Sequence, residues 1–185
     1  MVNNDPTDGE LMARLAGGEM SALGELAHRH QGRVLELAFR TLGSWDRAED
    51  VAQETFLRVH RAAKRYKPTA KFTTWLYRIV VNLCLDEQRR RAKAGSSLES
   101  ELVEQLPASD RNTTEKEEMA ALVKAAVQAL PERQRMAVIL HRYQGLNHAE
   151  ISETTGWSRS AVESLLVRAY ANLRGKLAKM KNLLD

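Results

Sequence analysis

The chain contains little of what β-rich, disulfide-bonded or membrane-spanning proteins need. Its 185 residues include one cysteine, four prolines and ten glycines, and aromatic residues make up 5%. Because Cys84 is alone, an internal disulfide and a cysteine-cluster zinc site are excluded. The scarcity of turn residues and aromatics argues against a β-sandwich or barrel. No apolar run approaches the roughly 18 residues of a membrane span, and residues 1–10 are too polar for a signal peptide. We therefore expect a cytoplasmic protein that does not insert into a membrane.

Catalytic and cofactor-binding patterns are also missing. The chain has no nucleophile–base pair, no paired catalytic carboxylates and no glycine-rich phosphate loop. Its five histidines have no carboxylate or thiol partners at the spacing of a metal site. We therefore expect a protein that is not an enzyme, with no catalytic residue, no cofactor and no metal.

Apolar residues recur at spacings of three and four, which is typical of amphipathic helices. In the first half of the chain this pattern predicts four helices: 8–17, 21–42, from Ser44 or Asp46 to about Tyr66, and from a cap at Thr73 or Thr74 into 89–91. Gly43 stands where a C-terminal cap is expected. Pro68 prevents the third helix from continuing.

Residues 94–114 interrupt the helical pattern. They contain Gly, Ser, Pro and Asn among scattered acids, so we expect a flexible acidic linker. Its apolar stretch, 98–106, is either plain tether or a transient helix or docking strip. The sequence thus predicts an all-α protein of two small helical bundles, with domains over 1–93 and 115–185 joined by this linker.

Four helices are predicted after the linker, and the last two have the pattern of a helix-turn-helix over 148–166. The four are expected to open at Thr113 or Thr114, at Pro131 as the first helical residue, at Asn147 in a capping box with Glu150, and at Ser158. Gly156 follows Ser152 by four residues, where the turn needs a positive φ. Apolar residues should then pin the second helix on the first, and they are Trp157, Val162 and Leu165.

The second helix of such a motif lies in the major groove of DNA, with its N-terminal residues at the base edges. The candidate DNA contacts are Ser158, Arg159, Ser160, Ala161, Ser164 and Arg168. Arg159 and Arg168 are the best candidates for guanine or phosphate. The alternative is a helical hairpin without a ligand, because a glycine turn and a serine cap establish only the turn.

Charge is strongly segregated along the N-terminal domain. Residues 1–57 hold 5 basic and 10 acidic residues, whereas residues 58–93 hold 11 basic and 2 acidic residues. One side of the third helix carries Asp46, Glu49, Asp50 and Gln53, and such a row can dock on an arginine-rich helix of another protein. The alternative is that acids in a first turn only favour the helix dipole, and the residues alone do not decide.

The fourth helix and the loop before it combine basic, polar and aromatic side chains. A polar stripe recurs along this helix at Arg78, Asn82, Asp86 and Arg89, and Asn and Arg can make bidentate contacts to bases. Basic groups beside aromatics suit single-stranded DNA, whose bases stack on aromatic rings. For Phe72 and Trp75 the alternative is a place in the core.

Three stretches together resemble the extracytoplasmic-function (ECF) group of bacterial RNA polymerase sigma factors. AEDVAQETFLRVHRA (48–62) is similar to the family's core-polymerase-binding helix. FTTWLYRIVVNLCLDEQRRR (72–91) is similar to its promoter-melting and −10 recognition helix. LPERQRMAVILHRYQGLNHAEISETTGWSRSAVESLLVRAYANLR (130–174) is similar to its fourth domain, which recognises the −35 element. The three occur in the family's order and cover nearly the whole chain.

The resemblance implies a sigma factor that binds core RNA polymerase, directs it to −10 and −35 elements and stabilises strand opening, commonly under an anti-sigma factor. It implies polymerase contacts at Asp46, Glu49, Asp50, Gln53 and Glu54. It implies contacts to the opened −10 strand at Lys67, Lys71, Phe72, Thr73, Trp75, Arg78, Asn82, Asp86, Arg89 and Arg90. The six helix-turn-helix residues would contact duplex −35 DNA, and the linker would enter the polymerase cleft. Family members often carry Lys or Arg where this chain has Glu163 and Leu165, which changes the expected phosphate contacts.

Two other functions remain open. A stand-alone helix-turn-helix regulator would not join the polymerase, and it would leave the acidic side of the third helix without a role. An adaptor that mimics a sigma factor to sequester an anti-sigma protein would keep the protein-docking surfaces without needing the basic fourth helix.

Overall fold

All regular secondary structure in residues 5–94 and 115–181, the part of the chain that the computed structural model describes, is helical. The predicted all-α class is therefore confirmed. The N-terminal helices are α1 (Asp8–Ala16), α2 (Met20–Leu42), α3 (Trp45–Ala62) followed by the 3₁₀ turn Ala63–Arg65, and α4 (Phe72–Lys93). The C-terminal helices are α5 (Glu115–Gln128), α6 (Glu132–Val138) continuing as the π-helix Ile139–Tyr143, α7 (His148–Thr155) and α8 (Arg159–Lys181).

The chain divides into two compact units, and the first is made mainly of residues 1–85. The predicted linker, beyond Ala94, lies outside the described residues, as do the caps predicted at Thr113 and Thr114. The predicted domain limits stay predictions.

Helices α1 and α2 form as their apolar spacing predicts. Leu11, Met12 and Leu15 of α1 are buried, each 4% exposed or less. Gly43 ends α2 in the left-handed conformation, with φ of 75°, and its N–H donates to the Phe39 carbonyl at 2.8 Å. A side chain with a Cβ is disfavoured at this φ, so the predicted glycine cap is confirmed.

The start of α4 differs from the prediction. The helix begins at Phe72 rather than after a cap at Thr73 or Thr74. The Lys71 carbonyl already accepts the N–H groups of Thr74 and Trp75, at 3.0 and 3.3 Å. Both threonines therefore lie inside the first turn, where Thr74 is only 5% exposed.

The junction of α5 and α6 contains a buried arginine. Arg135 is 1% exposed, and its Nη1 donates to the backbone oxygen and to Oε1 of Gln128, the last residue of α5, at 2.7 and 3.0 Å. Burial lowers the pKa of Arg135. Pro131 was predicted as the first helical residue of α6, but it is the N-cap, one position before the helix begins. The arginine satisfies a carbonyl that the end of α5 leaves without a helical partner.

The helix-turn-helix has the predicted local geometry. The Asn147 side chain accepts the N–H groups of Ala149 and Glu150, while Glu150 accepts the Asn147 N–H at 3.0 Å, which is a complete capping box. Gly156 has φ of 74° and caps α7 through its N–H to the Ser152 carbonyl at 2.9 Å. Ser158 caps α8 by accepting the Ala161 N–H at 3.2 Å.

The residues predicted to pin α8 on α7 differ in burial, and Trp157 is half-buried. Val162 and Leu166 are buried, at 0% and 4% exposed, whereas Leu165 is only half-buried. The buried stripe runs through Val162, Leu166 and Ala169, at the alternating spacings of four and three that about 3.6 residues per turn produce.

Candidate polymerase- and DNA-binding surfaces

The surface of α3 separates cleanly into a buried and an exposed side. Ala48, Val51 and Val59 are buried, at 6% exposed or less. The predicted row is exposed on the opposite side, and we call it the acidic face: Asp46, Glu49, Asp50 and Gln53. Within the part of the chain that the structure describes, no side chain pairs with the carboxylates of Asp46, Glu49 or Asp50. Their charges are thus available to a cationic partner.

Glu54, the fifth predicted polymerase contact, has a different environment. Its carboxylate accepts from Arg58 Nε at 2.9 Å and lies 3.5 Å from Arg61 Nη1. The hydrogen bond from Arg58 lowers the pKa of Glu54. Its charge is therefore largely balanced within α3, and it belongs to the edge of the acidic face.

Two exposed apolar side chains near the acidic face were not identified from sequence. Leu57, four residues after Gln53, is 48% exposed. Trp45, at the start of α3, is 56% exposed and stacks on Phe39 of α2 with ring centroids 4.2 Å apart. The signal for Leu57 was its spacing, since a residue four positions after an exposed one shares its helical side.

Phe72 was predicted to contact the −10 strand, and its burial corrects that prediction. It is 6% exposed, and its ring centroid lies 5.2 Å from that of His30, 6.1 Å from Tyr66 and 5.7 Å from Trp75. We call these four rings the aromatic cluster. Since a buried ring cannot stack on a base without leaving this cluster, the core alternative describes Phe72.

Trp75 has an intermediate position. It is half-buried, with its ring 5.0 Å from Tyr66 in an edge-on arrangement. Burial raises the pKa of the Tyr66 hydroxyl. Lys67 and Lys71 are exposed in the preceding loop, and Thr73 is half-buried. The cluster thus holds Trp75 beside a basic loop, and sequence reasoning missed two of its members, Tyr66 and His30.

The polar stripe predicted along α4 is present. Arg78, Asn82, Asp86 and Arg89 are all exposed. Asp86 and Arg89 form an ion pair at 3.2 Å, and Arg90 pairs with Glu87 at 2.7 Å. The two arginines are 72% and 74% exposed in their side chains, and exposed pairs of this kind contribute little energy. Both arginines can therefore leave the carboxylates of Asp86 and Glu87 and pair with phosphates instead.

On α8 the predicted DNA contacts divide into two sets. Ser158, Arg159, Ser160 and Arg168 are exposed, whereas Ala161 and Ser164 are half-buried. The same side also exposes Glu163 and Val167, the latter at 65%. Neither was among the predicted contacts, although both follow Ser160 at helical spacing. We call Ser160, Glu163 and Val167 the groove face.

Two absences apply to residues 5–94 and 115–181. No group of three or more His, Cys, Asp or Glu side chains could hold a metal ion there. Among the same described residues no helix is both long and apolar enough to span a bilayer.

Comparisons with known families match both halves of the chain. Residues 26–94 match sigma-70 region 2, and residues 120–173 match sigma-70 region 4. Together the matched regions include α4, α7 and most of α8 with the groove face. The order of the two regions is the one that the sequence motifs predict.

Several curated proteins are similar along most of the chain. The ECF RNA polymerase sigma factor SigE of Mycolicibacterium smegmatis is 38% identical over 170 residues, covering 89% of this chain and 66% of that protein. SigM of Mycobacterium tuberculosis is 36% identical, covering 92% of this chain and 84% of that protein. The sigma-E factor of Escherichia coli is 32% identical, with 92% and 94% covered.

Solved structures have the same fold. CnrH, in complex with the cytosolic domain of CnrY, superposes with a TM-score of 0.67 at 26% identity, covering 93% of this chain and 97% of that one. The sigma factor RpoE of Bartonella quintana, in complex with the anti-sigma factor NepR, has a TM-score of 0.65 at 18% identity, with 84% and 96% covered. With both sigma-70 regions matched and relatives above 30% identity covered over most of their length, the chain belongs to the ECF group of RNA polymerase sigma factors.

Proposed function

We propose that this ECF sigma factor binds core RNA polymerase, directs it to −10 and −35 promoter elements and stabilises strand opening. The observation that carries the proposal is that two surfaces of opposite charge lie on consecutive elements of the chain. An exposed acidic face on α3 is followed by a basic loop and the exposed stripe of α4. A protein partner and a polyanion can therefore bind at the same time without competing for one surface.

The acidic face is the proposed polymerase contact. Its carboxylates are exposed and have no partner among the described residues, so a basic helix can pair with them without first breaking an internal ion pair. Leu57 adds an exposed apolar side chain next to Gln53. The proposed contacts are Asp46, Glu49, Asp50 and Gln53, with Glu54 at the edge.

The loop before α4 and its polar stripe are the proposed −10 surface. Basic side chains attract the phosphates of a single strand, and Trp75 offers a ring face for stacking. The proposed contacts are Lys67, Lys71, Thr73, Trp75, Arg78, Asn82, Asp86, Arg89 and Arg90. Phe72 acts through the aromatic cluster by holding Trp75 in position.

The N-terminal part of α8 is the proposed −35 surface. Arg159 and Arg168 supply phosphate or guanine contacts. The remaining proposed contacts to duplex −35 DNA are Ser158, Ser160, Ala161 and Ser164. Two weak DNA-binding surfaces become effective once both are fixed on the polymerase, since tethering raises the effective concentration of the second. We expect the free protein to bind DNA weakly and with strong salt dependence.

Regulation by an anti-sigma factor is part of the proposal, as is a cytoplasmic location where polymerase acts. CnrH was solved with the cytosolic domain of CnrY, and the Bartonella RpoE was solved with the anti-sigma factor NepR. The fold that this chain shares with both supports a partner of the same kind.

Run-off transcription with core RNA polymerase and a promoter library tests the proposal. Wild-type protein should co-elute with core polymerase and start transcription at defined sites, and permanganate should detect unpaired thymines near −10. Glu49→Lys with Asp50→Lys should abolish co-elution. Glu25→Lys on α2, outside the acidic face, is the control and should not.

Charge reversal on α4 separates the proposal from its alternatives. Arg78→Glu with Arg89→Glu should leave co-elution intact and abolish transcription, because only strand binding is lost. A stand-alone regulator would not co-elute in any form. An adaptor for an anti-sigma protein would function normally with both arginines reversed.

A further inference from the structure

The groove face of α8 exposes a carboxylate and a branched apolar side chain one turn apart. Glu163 is exposed, and Val167 is 65% exposed four residues later. Ser160, exposed on the same side, precedes Glu163 by three residues. Neither Glu163 nor Val167 supports the fold, since the buried side of this helix consists of Val162, Leu166 and Ala169.

The Glu163 carboxylate is not paired with any of the described residues. Within the part of the chain that the structure describes, no side chain or backbone group donates to it, although Arg159 lies one turn earlier on the same helix. On α4, by contrast, Asp86 is paired with Arg89 at 3.2 Å. A carboxylate without a partner on a helix in the major groove is repelled by the phosphates. A hydrogen bond from a donor on a base edge offsets this repulsion.

The major groove offers one donor that suits a carboxylate and one apolar group that suits valine. Cytosine presents its N4 amino group, from which Glu can accept, and thymine presents its C5-methyl group, which apolar side chains contact. Four residues of α-helix span about 6 Å, while successive bases are about 3.4 Å apart. The two side chains are therefore spaced to reach bases one or two steps apart.

We propose that Glu163 and Val167 determine the base preference of α8, with Glu163 accepting from a cytosine N4 amino group and Val167 packing on a thymine methyl one or two steps away. This inference rests on the proposed function, because it requires α8 to lie in the duplex −35 element. It adds selection of a cytosine and a thymine to the phosphate and guanine contacts of Arg159 and Arg168.

The test uses holoenzyme assembled from the full chain and core polymerase, on promoters randomised across the −35 element. Wild-type protein should enrich a cytosine and a thymine within two positions of each other. Glu163→Gln should reduce the cytosine preference about tenfold and raise adenine, since an amide can pair with adenine N6 and N7. Val167→Ser should reduce the thymine preference about fourfold, the effect of losing the burial of one methyl group.

Uracil in place of the selected thymine isolates the methyl contact. The substitution removes only the C5-methyl group, so it should weaken transcription by wild-type holoenzyme about fourfold and leave Val167→Ser unchanged. Glu132→Gln on α6 and Met119→Ser on α5 are matched controls, because both side chains are exposed on other helices. Neither control should change the selected bases.

The outcomes distinguish this inference from the proposed function. If wild-type holoenzyme selects bases in the −35 element and both groove-face variants select the same ones, Glu163 and Val167 do not determine the preference, while the sigma function stands. A wild-type holoenzyme that starts no transcription on any promoter overturns the proposed function and the inference with it.

Discussion

The two halves of the molecule hold their binding surfaces by different means. In the N-terminal half, the aromatic cluster joins His30 of α2, Tyr66 of the connecting segment, and Phe72 and Trp75 of α4. In the C-terminal half, α8 is oriented by consecutive local features: the Asn147 capping box, the left-handed Gly156 and the Ser158 cap. The first arrangement is tertiary and the second is local. Damage to the cluster should therefore spread through the N-terminal helices, whereas damage to the turn should stay near α7 and α8.

Removal of the Phe72 ring should have the largest effect on stability. Phe72→Ala empties a site that is 6% exposed, and losses of about 3–5 kcal/mol are typical of such substitutions. Urea unfolding followed by tryptophan fluorescence measures the change. Phe72→Leu, which keeps most of the volume, should cost less than about 1.5 kcal/mol. An Ala variant as stable as the wild type would mean that the ring is not part of a packed cluster.

Substitution of the turn glycine should have a smaller and more local effect. Gly156→Ala introduces a Cβ that meets no neighbour within 4 Å, so its whole cost arises from φ of 74°. That cost is about 1–2 kcal/mol. Hydrogen exchange should show faster exchange of the amides of α7 and α8 and no change in those of α1.

Substitution of a glycine inside α8 should change the stability in the opposite direction. Gly175 has no neighbour within 4 Å of an added Cβ and lies within α8. Gly175→Ala should stabilise that helix by up to about 1 kcal/mol, because alanine loses less backbone entropy on folding. If both alanine variants shifted stability in the same direction, the left-handed turn would not be the cause.

Acid should have the smallest effect, at the connection of α1 and α2. The Arg14 side chain donates to Glu19, with Nε 2.9 Å from Oε2, and Ser21 Oγ donates at 2.8 Å. The hydrogen bond from Arg14, followed by that from Ser21, lowers the pKa of Glu19 from 4.5 to about 2. Because the folded-state pKa is depressed, the stabilisation is fully present above pH 4.5 and is lost as the pH falls towards 2.

An NMR titration of the Glu19 carboxyl measures this pKa directly. Arg14→Ala should return it towards its ordinary value. Thr7→Ala removes the hydroxyl hydrogen bond to Glu10 and keeps the backbone one, which lowers the pKa of Glu10 most, and it should leave the titration of Glu19 unchanged.

The sequence predicted local features well and tertiary ones poorly, for a physical reason. The capping box at Asn147 and the positive φ at Gly43 and Gly156 depend on residues a few positions apart, so their chemistry is visible in the sequence. Phe72 was placed among the DNA contacts because its burial depends on His30, 42 positions earlier in the chain. No local pattern records that contact.

The candidate surfaces divide in the same way. The acidic face was predictable because helical spacing alone exposes Asp46, Glu49, Asp50 and Gln53. The internal pairing of Glu54 with Arg58 and Arg61 was not predicted, since the choice among several neighbouring partners depends on side-chain conformation. Glu163 and Val167 were left out although Arg168, further along α8, was included, because a carboxylate is repelled by phosphates and the sequence alone does not show that Val167 is exposed.

The ion pair between Asp86 and Arg89 changes how many cations leave the nucleic acid when α4 binds. Binding affinity falls with salt according to the number of condensed counterions that protein cations displace. When Arg89 moves from Asp86 to a phosphate, the carboxylate remains beside the strand and retains a cation that would otherwise escape. We therefore expect the salt exponent of strand binding by α4 to be smaller than the roughly 0.7 per cation that is ordinary for single strands.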